Sequence, residues 1–483
     1  MKRREFIRDL GLAGAGMALA GSFLRAQTAR PNVLLIIVDQ LRYPRFSTEA
    51  FPQNIARIAK AGVSFSRHFV SAVPCSPSRA CLMTGTYTTQ NRMFHNCDFV
   101  EGKSQPSLDP KIPSLGHIFG KAGYRTPYRG KWHLTRKADR NTKDPLLDYG
   151  FEGWKPPEAL FGGGPYNGQL VDPMYAREAA DWLGNSASHQ KPWFMVCSLI
   201  NPHDICAYPR YYPLEKLERI KTKSAPPNYP DDLSTKPACQ REYREKWQKI
   251  AGAFDPNNAD AWRRYLDYYI ECQEMVDRQA GKVLDALEKS GQKENTLVVF
   301  TSDHGEQAGS HQLRTKGCFA YEEVMTVPLI FSWPGHLPAN VSTEALASNV
   351  DLMPTLVALA GISNPNYMAG RDLSPVLADP GKASVRDEVI YHSDWEVVSL
   401  SKQGALSSIK APYHLRCLRE REWKYVYYFD PESAEADYEL YHLKDDPLEM
   451  TNLAADPGCQ KKLKEMHSRL MDWEEKLVKE YKS

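Results

Sequence analysis

The sequence predicts an α/β fold followed by a smaller C-terminal α+β subdomain, and three observations carry that expectation. Apolar runs recur at V-L-L-I-I-V (Val33 to Val38), K-P-W-F-M-V-C-S-L-I, N-T-L-V-V-F-T-S and V-P-L-I-F-S. Uninterrupted runs of this length fit strands buried on both faces, as in a parallel sheet covered by helices. Helical patterns separate the runs, the clearest from Ala259 to Lys289 with Gly291 as its stop. Strands alternating with helices indicate a layered α/β domain. The last hundred residues change character. H-L-R-C-L-R-E-R-E-W-K-Y-V-Y-Y-F-D alternates as antiparallel strands do, and Lys461 to Tyr481 reads as an amphipathic helix.

Composition allows this architecture. The chain has 483 residues, 42% hydrophobic and 25% charged, enough to bury a core. A net charge of +2 gives no global pointer to nucleic acid or an anionic membrane. Residues 1–26 read differently from the rest. M-K-R-R-E-F-I-R followed by a short Gly/Ala-rich apolar stretch resembles a twin-arginine export signal, with small-residue sites ending at Ala20 and Ala26. No later stretch has the roughly 18 uninterrupted apolar residues that a membrane span needs. The expected organisation is therefore an export signal (1–26), a catalytic domain (27–383) and a C-terminal α+β subdomain (384–483). The Pro-, Lys- and Tyr-rich stretch at 208–236 reads as a surface excursion, and loops 155–170 and 208–236 are where substrate selectivity is expected. Ten cysteines without a C-x-x-C pair argue against a zinc knuckle, and export permits disulfides without assigning them.

Polar residues follow three of the four runs, where ligands bind in open α/β sheets. Asp39 and Gln40 follow one run, and Asp303 and His304 follow another. Such residues also begin turns, but four oxygen or nitrogen donors, mostly oxygen, at one sheet edge suit a hard divalent cation. The stretch C-S-P-S-R-A-C at 75–81 poses a separate question, because its two cysteines suit a disulfide, part of a metal site, or a modified side chain.

The order of motifs resembles the type I formylglycine-dependent sulfatase family of the alkaline phosphatase superfamily. C-S-P-S-R matches its C-x-P-x-R signature, and L-M-T-G-T-Y continues it. G-K-W-H-L at 130–134, N-P-H-D at 201–204 and S-D-H-G-E with Lys316 follow in order, then V-P-L-I-F-S-W-P-G and E-L-Y-H-L-K-D-D-P. The match runs from Pro31 to Leu453.

The resemblance implies an alkaline-phosphatase-like fold, with a large, mostly parallel mixed sheet between helices. It implies that Cys75 is oxidised to formylglycine by a formylglycine-generating or anaerobic sulfatase-maturing enzyme. Hydrated, that side chain offers one hydroxyl to attack sulfur and a second to expel sulfate. The implied metal ligands are Asp39, Gln40, Cys75, Asp303 and His304, for calcium or alternatively manganese. Arg79 and Lys131 would hold the formylglycine, Lys131 and Lys316 would neutralise sulfate, His133 would serve sulfate release, and His203 would protonate the leaving alkoxide. His311 matches a position beside the substrate, and Asp204 and Arg314 are further pocket candidates. Two departures stand out. The family's commonest metal loop has paired Asp where this chain has Gln40, and often Asn where it has His304. The implied activity is hydrolysis of sulfate esters, on a sulfated saccharide, by an exported enzyme. The alternatives are a phosphonate monoester hydrolase or phosphodiesterase, and an inactive glycan-binding relative.

Overall fold

A computed structural model describes residues 30–482, except 47–48, 98–104, 137–138, 140–142, 157, 159–166, 211–221, 254, 256, 364, 383 and 395–408. The expected export signal, part of loop 155–170 and part of loop 208–236 lie outside the described residues.

Seven strands form the main sheet: β1 (Asn32–Asp39), β2 (Val63–Phe65), β3 (Tyr128–Gly130), β4 (Phe194–Pro202), β5 (Thr296–Ser302), β6 (Leu329–Ser332) and β7 (Val341–Thr343), in the spatial order β3-β4-β1-β5-β6-β2-β7. β1 lies at the centre, parallel to β4 and β5. Its eight residues are all buried because both faces are covered. Val33, Leu35 and Ile37 pack one way, with Phe194, Val196 and Val299 and with Ala80, Leu82 and Met83 of helix α1 (Cys75–Thr84). Leu34, Ile36 and Val38 pack the other way, against α2 (Asn167–Gly184) and α3 (Ala259–Lys289). The expected helix at Ala259–Lys289 forms with those ends. Asn258 caps it by accepting from Asp260 and Ala261 amides, and Gly291 follows in a left-handed conformation.

One apolar run departs from the parallel expectation. β6 pairs antiparallel with β5, with Thr301 opposite Leu329. An apolar run buried on both faces looks the same in either direction, so its polarity comes from the connection.

A second sheet follows the main one, from β8 (Glu388–Ser393), β9 (His414–Glu420), β10 (Trp423–Phe429) and β11 (Ala436–His442), paired antiparallel in that order. Helix α4 (Gln460–Lys482) covers it, with Met466, Leu470 and Leu477 packed on Ile390, Leu418, Tyr425 and Leu440. Its fifth strand is Ala72–Val73, which pairs with His392 and Ser393. The C-terminal sheet is thereby joined to the two residues that lead through Pro74 into Cys75.

The described second half of 208–236 is a correction to the expected surface excursion. Asn228, Asp231, Leu233 and Lys236 are buried. Lys236 Nζ donates to the Tyr441 hydroxyl at 3.0 Å and to the Glu449 carbonyl at 2.6 Å, so this lysine ties the segment to the C-terminal part. All ten cysteines are free thiols, and Cys75 and Cys81 share α1 without a bond between them.

Register decides which strand ends meet. Ile37 pairs with Ser198, Val38 with Ser302, and Gly130 with Ser198, so β1, β3, β4 and β5 finish at one edge. Gly130 has φ +96°, and a Cβ there would stand 1.8 Å from the Ser198 carbonyl oxygen. Gly130→Ala is therefore expected to lose about 1–3 kcal/mol from the backbone conformation alone, with more from the clash. Urea unfolding measures it, and an unchanged midpoint would contradict the close approach of β3 and β4.

Candidate active site

The finishing edge of the sheet collects residues far apart in sequence. Asp39 and Gln40 leave β1, Lys131 leaves β3, His203 leaves β4, and Asp303 and His304 leave β5. Cys75 opens α1, a helix buried along its whole length. One donor atom from each of Asp39, Cys75, Asp303 and His304 lies within 4.8 Å of the others, and all four residues are buried.

Arg79 organises this cluster. It stands one helical turn after Cys75 and is 1% exposed. Its Nε donates to Asp303 Oδ2 at 2.8 Å, and NH2 donates to Asp39 Oδ2 at 3.3 Å. NH1 donates to the Lys131 carbonyl at 2.9 Å and to the Ser198 hydroxyl at 2.8 Å. Lys131 Nζ donates to Asp39 Oδ2 at 2.5 Å. Burial alone would raise the Asp39 pKa, but Lys131, His203 and Arg79 more than offset it and hold the group well below its ordinary value. Burial would likewise lower the pKa of Arg79, yet Asp303 and Asp39 leave it raised. Both stay charged.

His304 presents one nitrogen to the cluster. Its Nδ1 lies 3.0 Å from the Gly305 carbonyl, an acceptor only, so Nδ1 carries the hydrogen. Nε2 then turns its lone pair toward Cys75 Sγ, 3.2 Å away. Burial lowers the His304 pKa, which favours the neutral ring. Two carboxylates and a bare imidazole nitrogen, with the Cys75 side chain among them, make a donor set that fits a divalent cation with mixed oxygen and nitrogen ligands.

Cys75 is not an activated thiol. Burial, then the Asp39 charge, push it up to about 11, so almost no thiolate exists at neutral pH. Lys316 Nζ donates to Gln40 Oε1. Burial would lower its pKa, but neighbouring groups keep it raised and the ammonium charged. His203 lies close enough to feel Lys316, Asp39 and Lys131. Burial, followed by Lys316, holds its imidazole well below the ordinary value, so the ring is neutral at pH 7.

His133 lies in the same turn as Lys131, with a left-handed φ of 59°. Its carbonyl accepts from Ser76 Oγ at 2.5 Å, which couples the turn to α1. Its amide and the Trp132 amide both donate to Glu158 Oε1. Glu158 was not expected from sequence, and neither was Glu306, which accepts from Gln40 Nε2. Glu306 ends the S-D-H-G-E stretch and was there to be noticed. Glu158 belongs to no motif and had no signal.

The three pocket candidates from sequence make the following contacts. The Asp204 carboxylate accepts from the Gly168 and Gln169 amides at 3.0 Å each, closing the first turn of α2. Arg314 donates to the Tyr208 and Gly252 carbonyls and to Gln248. His311 is fully buried, with Nδ1 2.7 Å from Asp231, Nε2 3.0 Å from Asn228 and its ring stacked 3.8 Å from Tyr321.

Arg79→Met would leave two buried carboxylates facing each other without their shared partner. The expected loss is about 3–5 kcal/mol, read as a lower melting temperature in chelator, with partial recovery on adding a divalent cation that compensates the same carboxylates. A melting temperature equal to that of the unsubstituted protein would refute the role of Arg79.

Comparisons with known proteins cover the part of the chain that holds these residues. A family model described as Sulfatase matches residues 31–362. One described as N-sulphoglucosamine sulphohydrolase, C-terminal, matches residues 309–476. The chain is 29% identical to the uncharacterized sulfatase YidJ of Escherichia coli strain K12, over 94% of this chain and 89% of the relative. It is 28% identical to the Delta 4,5-hexuronate-2-O-sulfatase of Bacteroides thetaiotaomicron, over 97% of this chain and 93% of that one. Among solved structures, a 2-O GAG sulfatase superposes with a TM-score of 0.74 at 26% identity, covering 94% of each chain.

Proposed function

The chain belongs to the sulfatase family and is a sulfuric ester hydrolase, and we propose that it is exported and removes sulfate from a sulfated saccharide by means of a formylglycine at position 75. The observation that carries this reading is the convergence of Asp39, Cys75, Asp303 and His304, with Arg79 and Lys131 bonded to the carboxylates and Lys316 bonded to Gln40 beside them. Such a site suits a tetrahedral anion beside a cation. The names of the relatives, which include a hexuronate-2-O-sulfatase and a 2-O GAG sulfatase, support a saccharide substrate. Among the described residues, no helix is long and apolar enough to cross a membrane.

The thiol of Cys75 occupies the place that the oxygens of a hydrated formylglycine would take. Asp39, Gln40, Asp303 and His304 would hold calcium, or alternatively manganese, which would lower the pKa of that hydrate and draw charge from the sulfate oxygens. Arg79 keeps the two carboxylates together and, with Lys131, polarises the hydrate. Lys131 and Lys316 reach the sulfate as charge develops on it. His133 takes the hydrate proton whose loss accompanies sulfate release, and His203 donates a proton to the departing sugar oxygen. His203 is neutral in the free protein, and an incoming sulfate anion favours its imidazolium.

Two measurements test the reading. Co-expression with a maturing enzyme should lower the mass of the peptide around residue 75 by the difference between CH2SH and CHO, and Cys75→Ser should lose multiple turnover. An active enzyme with unmodified Cys75 would sink the formylglycine assignment. Defined sulfated saccharides, assayed beside a phosphodiester carrying the same single charge, then identify the substrate class, and faster turnover of the phosphodiester would overturn it.

Acid assistance separates the two histidines. A nitrophenolate leaves without a proton, whereas a sugar alkoxide needs one. Where sulfur transfer limits the rate, His203→Ala should cost about 10²–10⁴-fold on a sulfated sugar and far less on 4-nitrophenyl sulfate. His133→Ala should impair both alike. Because the His203 pKa is lowered, its protonated fraction grows as pH falls. Sugar-sulfate turnover should therefore rise relative to nitrophenyl sulfate turnover from mildly alkaline to mildly acidic pH, and a flat ratio would reassign the acid.

A further inference from the structure

We propose that Glu306 is a positioning residue that fixes the orientation of the Gln40 carboxamide, so that its oxygen and not its nitrogen is offered to the cation. The inference rests on the reading above that the cluster around Asp39 and Asp303 holds a cation.

A carboxamide has nearly the same shape either way round, so packing cannot choose which end faces inward. Its hydrogen-bond partners choose. On one side, Gln40 Nε2 donates to Glu306 Oε2, and a carboxylate only accepts. On the other, Gln40 Oε1 accepts from Lys316 Nζ, and an ammonium only donates. Cys206 Sγ, 3.2 Å away, donates to the same oxygen.

Glu306 is itself held in place. Its Oε1 accepts from the Tyr265 hydroxyl at 3.0 Å, the Ala308 amide at 3.0 Å and the Thr315 amide at 2.6 Å. Only Oε2 is left for Gln40. Glu306 and Gln40 are both fully buried, so water does not stand in for either partner at the surface. Glu306 also lies three residues after Asp303, in the loop that supplies two ligands from β5. That loop would thus orient a third ligand on β1.

The same contact accounts for the neutral residue at position 40. A carboxylate there would face the Glu306 carboxylate at hydrogen-bond distance, and two buried like charges repel strongly. A carboxamide supplies the oxygen and replaces the repulsion with a hydrogen bond.

The proposal makes a specific statement about swapped partners. In Glu306→Gln, the three donors at Oε1 leave the new amide only one arrangement, with its NH2 group toward Gln40. The Gln40 oxygen must then turn to meet it, leaving an NH2 group toward the cation and Lys316. In Gln40→Glu, two carboxylates collide. In the double variant Gln40→Glu/Glu306→Gln, the amide at 306 donates to one carboxylate oxygen at 40 and the other oxygen faces the cation.

Calorimetric titration of the full-length, matured protein with calcium reads this directly, with melting in chelator as a check that each variant folds. Glu306→Gln should bind calcium about 10–100-fold more weakly than the unsubstituted protein, the usual cost of disturbing a group that orients a ligand. Gln40→Glu/Glu306→Gln should bind more tightly than either single variant. If the unsubstituted protein binds calcium and Glu306→Gln binds it equally well, the positioning role is overturned. It is also overturned if the double variant binds no more tightly than Gln40→Glu. If the unsubstituted protein binds neither calcium nor manganese, the cation reading fails and the inference falls with it.

Discussion

The carboxylates of Asp39 and Asp303 arrive from two neighbouring strands and would repel each other if the Arg79 guanidinium did not stand between them. Three of its nitrogens are engaged, by Asp303, by Asp39, and by the Lys131 carbonyl together with Ser198. One buried cation therefore ties β1, β3, β4 and β5 to the helix that begins with Cys75. Breaking such a buried arrangement from one side strands the remaining charges, which is why it costs far more than an exposed ion pair. It also means that the site's charge is nearly balanced before any substrate or cation arrives.

That balance explains the chemistry the site can support. Asp39, Asp303 and the Glu306 carboxylate behind Gln40 stand against Arg79, Lys131 and Lys316, and Gln40 adds an oxygen without adding a charge. A bound divalent cation would tip that balance to positive, which suits an anionic ester. The same surroundings keep His203 neutral and Cys75 protonated. A protonated buried thiol is a poor nucleophile, and a neutral imidazole is a poor acid until an anion arrives beside it. In the proposed reaction, the incoming sulfate would itself favour the proton that its leaving group requires.

The second sheet is part of this arrangement and not a separate attachment. Ala72 and Val73 add to its edge and then lead into Cys75. Lys236, Tyr441 and Glu449 connect the segment before the long α3 helix to the same C-terminal region. Position 75 is consequently held from three directions, by the strand pairing before it, by Arg79 after it, and by Ser76 Oγ on the His133 turn.

Sequence alone carried the strands at 33–38 and 296–302, the long helix at 259–289 and the terminal helix, because burial on both faces or on one helical stripe leaves a periodic record. It also pointed to Asp39, Cys75, Asp303 and His304, since each lies at the end of a strand or at a helix start, and the structure brings these four together. What it did not carry is direction in space. The apolar run of β6 reads the same in either polarity, and only its pairing with β5 made it antiparallel. His311, Asp204 and Arg314 stand beside motif residues in the chain, yet their side chains turn to Asp231, to the start of α2 and to loop carbonyls. Glu158 and Glu306 have no periodicity to announce them, and their work appears only as contacts with His133 and Gln40. The alternation of apolar and polar residues along a segment is local, so sequence records which face of a strand or helix is to be covered. A hydrogen bond between residues hundreds of positions apart depends on the register of strands, and that was decided only when the sheet closed around Arg79.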